Sequence, residues 1–278
     1  MSIQISAQDV NKLRQMTGVG MMDCKKALVE ANGDFEAAID LLRKKGQKVA
    51  ASRVGRAAGE GTIITRTNEN NSKGVLIALN CETDFVAKNE EFVAFANKIA
   101  DVALAQSPGS IEELNATAID GRPIQDHIID LVGKIGEKIE ISRYESLSAD
   151  TVITYIHGNN KLGVIVGLNK AASEAVINAG KDCAMQIAAM SPVAVDKEDL
   201  DESVLARELE IAKDQVRAEG KPEEMVEKIA MGKLNKFFKE STLMNQEFVK
   251  DSSKTIAQML DSVEKGLKVT AFKRVTIG

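Results

Sequence analysis

Between residues 6 and 46, apolar side chains recur at helical intervals. Ser6 with Asp9 three residues on has the form of a capping box, and Val10 and Leu13 follow on one face. TGVGMMD (17–23) reads as a glycine-punctuated turn. CKKALVEA (24–31) reads as a second helix stopped by Asn32-Gly33. Asp34 can cap a third, where Phe35, Ala38, Ile39 and Leu42 fall at i, i+3, i+4, i+7, and Gly46 is expected to end it. Residues 47–61, rich in Ala, Gly and Arg with little apolar period, read as a partly helical linker.

From residue 62 the period changes to that of strands, and the pattern repeats. TIITRTNENNSKGVLIALN (62–80) aligns without gaps to TVITYIHGNNKLGVIVGLN (151–169), with nine identical positions. Each copy predicts a hairpin turning at Asn-Asn, followed by a helix that stops at Ser-Pro, Ser107-Pro108 and Ser191-Pro192. Phe92, Phe95, Ile99 and Val102 share one face of the first helix. Antiparallel strands covered by helices make an α+β architecture with a duplicated ββα core. Between the copies lie a predicted helix and the strand IEIS. Leu205, Leu209, Ala212 and Val216 then form a short heptad seam, Gly220-Lys221-Pro222 a turn, and Met225 to Phe238 a second apolar helix, together an inserted antiparallel helical hairpin. A helix around TIAQMLDSVEKG and a strand VTAFKRVTI close the sequence. The expected division is 1–56, 57–145, 146–198 with 240–278, and 199–239.

Composition narrows the function. The 278 residues include no Trp, two Tyr and two His, thin material for acid–base chemistry near neutral pH. Cys24, Cys81 and Cys183 form no CxxC or Cys/His cluster, so no disulfide framework, zinc site or other metal site is expected, and free thiols suit a reducing cytoplasm. The N-terminus lacks the pattern of a signal peptide, and no apolar run approaches the roughly 20 residues of a membrane span. Residues 1–56 carry ten Lys/Arg and six Asp/Glu; the remainder is net acidic by nine charges, which argues against nucleic acid as the main ligand. The basic segment is either an ordinary solvated face or one that meets an acidic surface. Nucleotide loops, nucleophile elbows and HExxH are absent, so catalytic residues, cofactors and enzymatic activity are not expected.

The repeat serves as an internal control. After the hairpin the first copy reads CETDFVAKN and the second KAASEAVIN. Thr83 or Asp84 can cap a helix there while Phe85 fills the core, or Phe85 can protrude toward a partner. Met21-Met22 either plugs the small three-helix core or offers a flexible apolar contact. His157, at the second hairpin tip, is either a bland surface residue or a polar contact. His127 has no evident partner.

LRQMTGVGMMDCKKAL (13–28) and LNCETDFVAK (79–88) closely resemble the two motifs of the elongation factor Ts family. VGKIGEKI, YIHGNNKLGV, MGKLNKFFKE and QMLDSVEKG extend the resemblance along nearly the whole sequence. Ala78 stands where the family more often has an acidic residue, and with the sequence stopping at Gly278 a C-terminal extension found in some members is expected to be absent. The resemblance implies a cytoplasmic guanine-nucleotide exchange factor that meets elongation factor Tu in its GDP-bound and nucleotide-free states. It implies an N-terminal UBA-like domain docking on the partner's G domain through Leu13, Arg14, Met21 and Met22. It implies a wedge at Thr83, Asp84, Phe85 and Val86 that disturbs the partner's magnesium ion, a contact at His157, and a homodimer through residues 199–239. The competing reading is a UBA-type interaction scaffold; a small-molecule enzyme would need a pocket with convergent polar groups.

Overall fold

A computed structural model describes residues 5–278; the first four residues of the predicted 1–56 unit lie outside it. Three helices open the chain: α1 (Ala7–Thr17), α2 (Met21–Glu30) and α3 (Phe35–Arg53). Ser6 and Asp9 form the reciprocal capping box, and Asp34 caps α3 through the Ala37 amide. Val10, Leu13, Cys24, Ala27, Leu28, Ala38 and Leu42 make their common core. Two expectations are corrected. Residues 21–23 are the first turn of α2, capped at Gly20, not part of the preceding loop. Gly46 does not end α3, which runs on to Arg53 through nearly half of the supposed linker.

The reason is tertiary contact. A Cβ at Gly133 would lie 2.8 Å from the Gly46 Cα, so the two glycines let α3 cross closely over a later helix. Val49 and Ala50, beyond Gly46, pack on the first sheet's core and keep the continuation helical despite weak local periodicity.

The first half of the core then runs β1 (Glu60–Thr67), β2 (Lys73–Cys81), α4 (Asp84–Ala87), α5 (Glu90–Gln106), α6 (Ile111–Ala116), β3 (Ala118–Ile119), β4 (Arg122–Pro123), α7 (Ile124–Ile135) and β5 (Glu140–Ser148). The second runs β6 (Thr151–His157), β7 (Leu162–Leu168), α8 (Glu174–Met190), α9 (Glu202–Ala218), α10 (Glu223–Ser241), β8 (Glu247–Phe248), β9 (Asp251–Thr255), α11 (Ile256–Val263) and β10 (Val269–Thr276). The sheets are β1-β2-β5 and β10-β7-β6, all antiparallel, so the mixed α+β reading stands.

The duplication is longer than sequence similarity reveals. Each half adds, after its long helix, a two-stranded ribbon, a helix and a third strand that pairs with the second strand of its hairpin. Both third strands break register at the same place, opposite Ala78/Leu79 and opposite Gly167/Leu168. The long helices α5 and α8 have 17 residues each and end on left-handed serines, Ser107 and Ser191, before proline.

The sheets meet face to face around Ile63, Leu76, Ala78, Ile165, Val275 and Ile277. The contact is reciprocal. The Ile63 amide donates to the Asn160 carbonyl at 2.7 Å, and the matching Val152 amide to the Asn71 carbonyl at 2.5 Å. Gly74 leaves room for Val152, and its counterpart Gly163 for Ile63 and Leu76; a Cβ would meet them at 2.6–2.9 Å. Asn71 and Asn160 hold left-handed backbone at φ 53° and 59°, which Asn tolerates better than most residues. Interlocking of the halves thus explains why the Asn-Asn and Gly positions recur.

Helices α9 and α10 leave the second half and run back along one another, joined at Gly220. Ala212, Val216, Val226, Ala230 and Leu234 are buried between them, whereas Leu205 and Leu209 of the expected seam are only half-buried. Among the described residues no helix is long and apolar enough to cross a membrane.

Candidate functional site

The two copies part company where the hairpin leads into the long helix. Three residues separate Asn169 from Ser173, the cap of α8. Eight separate Asn80 from Asn89, the cap of α5. An ungapped comparison of the junctions is therefore wrong beyond Asn80/Asn169, because the first copy holds five extra residues. These form α4, a single turn. Thr83 caps it, accepting weakly from the Val86 amide at 3.5 Å, and Asp84 pairs with Lys88 at 2.7 Å. Val86 and Ala87 pack down on the core of the first sheet. Phe85 points the other way and is 83% exposed, so it does not fill the core.

An exposed Phe on a one-turn helix needs a rigid base if it is to act as a preformed contact. Glu82 and Thr83 donate their amides to Glu137 Oε2 at 3.2 and 3.0 Å, and the Thr83 hydroxyl donates to Glu137 Oε1 at 2.7 Å. In return Glu82 Oε1 accepts the Lys138 amide at 2.7 Å, while Arg53, the last residue of α3, and Arg56, just beyond it, reach the same carboxylate at 3.3 and 3.1 Å. The Lys138 amide and these arginines hold the Glu82 carboxyl below its ordinary range. Lys88 does the same for Asp84 by donating to it, so a carboxylate sits beside Phe85 at neutral pH. Burial, with the nearby Glu137 charge, pushes the Cys81 thiol up to about 12, so this cysteine is inert rather than nucleophilic.

The second hairpin tip joins this end of the molecule. Ile63 holds Asn160 through the backbone, Lys161 pairs with Glu60 at 2.6 Å, and Lys161 contributes to lowering Asp84. His157, exposed at that tip, bonds the Tyr155 hydroxyl through Nδ1 at 2.9 Å. His127 does have a partner, the Ile119 carbonyl at 2.9 Å.

In the three-helix unit, Met21 and Met22 are 47% and 65% exposed, so neither plugs the core, and Arg14 is exposed on α1. Leu13 is fully buried. It holds α1 to its neighbours and, contrary to the expectation of a contact, presents no surface to a partner. The loop before Met21 lies against α7: the Lys134 side chain occupies the space a Cβ on Gly18 would need.

No group of His, Cys, Asp and Glu among the described residues is arranged to hold a metal ion. A cavity of about 260 Å³ between α3 and α7 is lined by Met16, Leu42, Arg122 and Asp130, and its Arg122–Asp130 pair is already closed at 2.9 Å.

A duplicated scaffold that presents exposed apolar groups from one rigid turn and one small helical unit is built for binding another macromolecule. The family model for Elongation factor TS matches residues 82–278. Over 274 residues the chain is 57% identical to Elongation factor Ts of Amoebophilus asiaticus, covering 99% of both chains. It is 56% identical to that of Cytophaga hutchinsonii over 98% of this chain and 99% of the relative. Elongation factor Ts of Clostridium perfringens is 44% identical, with 98% of this chain and 91% of the relative covered. The chain belongs to the elongation factor Ts family.

Sequence reasoning singled out Phe85 and Asp84 as candidates and did not single out Glu82, Glu137, Lys138, Arg53 and Arg56, which brace the turn that carries them. The signal available was the unequal spacing between Asn and helix cap in the two copies.

Proposed function

We propose that the protein is a guanine-nucleotide exchange factor that releases GDP from elongation factor Tu during translation elongation. The observation that carries it is Phe85, exposed on a braced turn that only one copy of the duplicated core possesses, in a chain of this family. Exchange makes and breaks no covalent bond. The factor has only to bind nucleotide-free partner better than GDP-bound partner; by linkage it then weakens GDP binding as much as GDP weakens its own.

Residues 83–86 act as the wedge in this reading. Phe85 enters an apolar cleft of the partner beside the nucleotide, and the Asp84 carboxylate arrives with it. The magnesium ion there belongs to the partner and neutralises phosphate charge, so disturbing it loosens GDP. The three-helix unit, of UBA type, docks through Arg14, Met21 and Met22, and its basic surface suits an acidic face of the partner. His157 adds a polar contact from the second half. The division at 1–56, 57–145, 146–198 with 240–278, and 199–239 follows these roles, with α9 and α10 as a homodimer contact, and the protein works in the cytoplasm. The UBA-type scaffold reading accounts for the three-helix unit and for nothing in the core.

The test is release of labelled GDP from purified elongation factor Tu. The protein accelerates it in proportion to its concentration until saturation; release at the spontaneous rate throughout refutes the reading, and binding to ubiquitin instead supports the scaffold.

A further inference from the structure

Two of the differences between the first half of the core and the second touch one another. One is the five-residue extension that makes α4. The other is the make-up of the turn that closes α7 (Ile124–Ile135), the counterpart of the turn that closes α11. Five residues join each helix to the shared irregularity in the third strand, so the turn after α7 corresponds position by position to the one after α11. Glu137 and Lys138 stand in the turn after α7. Counted back from the shared irregularity, Lys265 takes the place of Glu137 in the second half, and it is exposed.

Polar contacts between the junction and this turn run both ways. The Glu137 carboxylate receives two amides and a hydroxyl from Glu82 and Thr83, and the Glu82 carboxylate receives the Lys138 amide. Among the described residues no cation pairs with Glu137, so its oxygens are committed to the junction. The second half shows that the fold manages without this device. There Asn169 ties the strand end to the turn, donating to the Gly266 carbonyl at 3.0 Å and accepting the Lys268 amide at 2.7 Å, and Lys170 pairs with Glu264 at 3.4 Å, with no carboxylate among the described residues receiving the junction's amides.

From this geometry we infer that Glu137 is a positioning residue for nucleotide exchange: its carboxylate fixes residues 82–84 and thereby the direction in which Phe85 projects. Arg53 and Arg56 brace the opposite side through Glu82, which ties α3 to the same turn. Preorganisation of this kind lowers the ordering cost of the complex and makes Phe85 effective at the moment of contact. The inference rests on the exchange reading.

The experiment compares wild type, Glu137→Ala, Phe85→Ala and the double variant. GDP release from elongation factor Tu is measured across factor concentrations, with melting curves and amide exchange on each free protein. Glu137→Ala should expose the Glu82 and Thr83 amides to rapid exchange and lower the maximal release rate about tenfold, the loss expected when several buried-side donors lose one acceptor. In the Phe85→Ala background the same change should cost less than about twofold, because the group being positioned is gone. Glu137→Gln keeps one acceptor oxygen and should recover part of the rate, which covers the case where the alanine variant melts early. An equal loss in both backgrounds, or an unchanged maximal rate in Glu137→Ala, overturns the inference. If wild type itself fails to speed GDP release, the exchange reading falls; amide protection then still decides the structural half, and protection unchanged in Glu137→Ala overturns it.

Discussion

The two halves of the core are one design used twice, and apart from inserted helices they differ where the hairpin leads into the long helix. Both fold a hairpin, a 17-residue helix, a ribbon, a shorter helix and a third strand. Both lend an amide and an Asn-Asn turn to the other. The second half passes from strand to helix in three residues, Lys170, Ala171 and Ala172, and has no aromatic there. The first half takes eight and turns Phe85 outward. Since the shorter path satisfies the same fold, the fold does not require the longer one. An internal repeat therefore separates structural from functional residues without any other sequence for comparison.

The sharpest way to break this comparison is Phe85→Ala. A Phe buried on binding contributes about 2–3 kcal/mol, so the exchange-competent complex should weaken roughly 30- to 150-fold. Melting should barely change, since the ring is 83% exposed. Were Phe85 structural, a paired melting curve and GDP-release assay would show the reverse: an early melt with normal exchange by the folded fraction.

Next comes what the halves share. Gly163→Ala forces a Cβ to within 2.6 Å of Ile63 and 2.9 Å of Leu76, and Gly74→Ala to within 2.7 Å of Val152. Each should destabilise by about 1–3 kcal/mol through overpacking of the sheet interface, read in denaturant titrations. A large loss from one and none from the other would contradict the reciprocal interlock.

Changing Met21 and Met22 together to Ser should raise the factor concentration for half-maximal exchange up to about tenfold, with the melt and the maximal rate unchanged. A fall in maximal rate instead would place these side chains at the wedge rather than at a docking surface. Deleting residues 1–56 goes further than docking: it strips Val49 and Ala50 from the first sheet's core and both arginines from Glu82, so an earlier melt is expected in the same assay.

The smallest effect is on pH. The Glu82 carboxyl lies below its ordinary value in the folded protein, so its contribution is present above the unfolded value and lost only as pH falls through the lower, folded one. The Lys138 amide should stay protected from exchange through the ordinary glutamate range near pH 4.3 and open only below it. Opening at or above that range would show that the contact is not held by charge.

How much of this was legible beforehand follows from the range of the forces involved. Caps, turns and apolar periods act within a few residues. The capping box at Ser6, the Asp34 cap, both Asn-Asn turns and both Ser-Pro stops could accordingly be read directly. Gly46 misled because its role is set by Gly133, 87 residues away, where two backbones nearly touch. The junction misled because a gap is invisible once similarity fades beyond Asn80. Leu13 misled because a motif marks what a family keeps, and core residues are kept as firmly as contacts.

By itself, then, the sequence determined the element types, the duplication and the family, all of which rest on local pattern or on long motifs in order. Only the tertiary structure decided that Phe85 and both methionines face solvent, that Leu13 does not, and that Glu82 and Glu137 hold each other. Burial and hydrogen-bond partnership depend on which distant segments the fold brings alongside, and no local pattern records that.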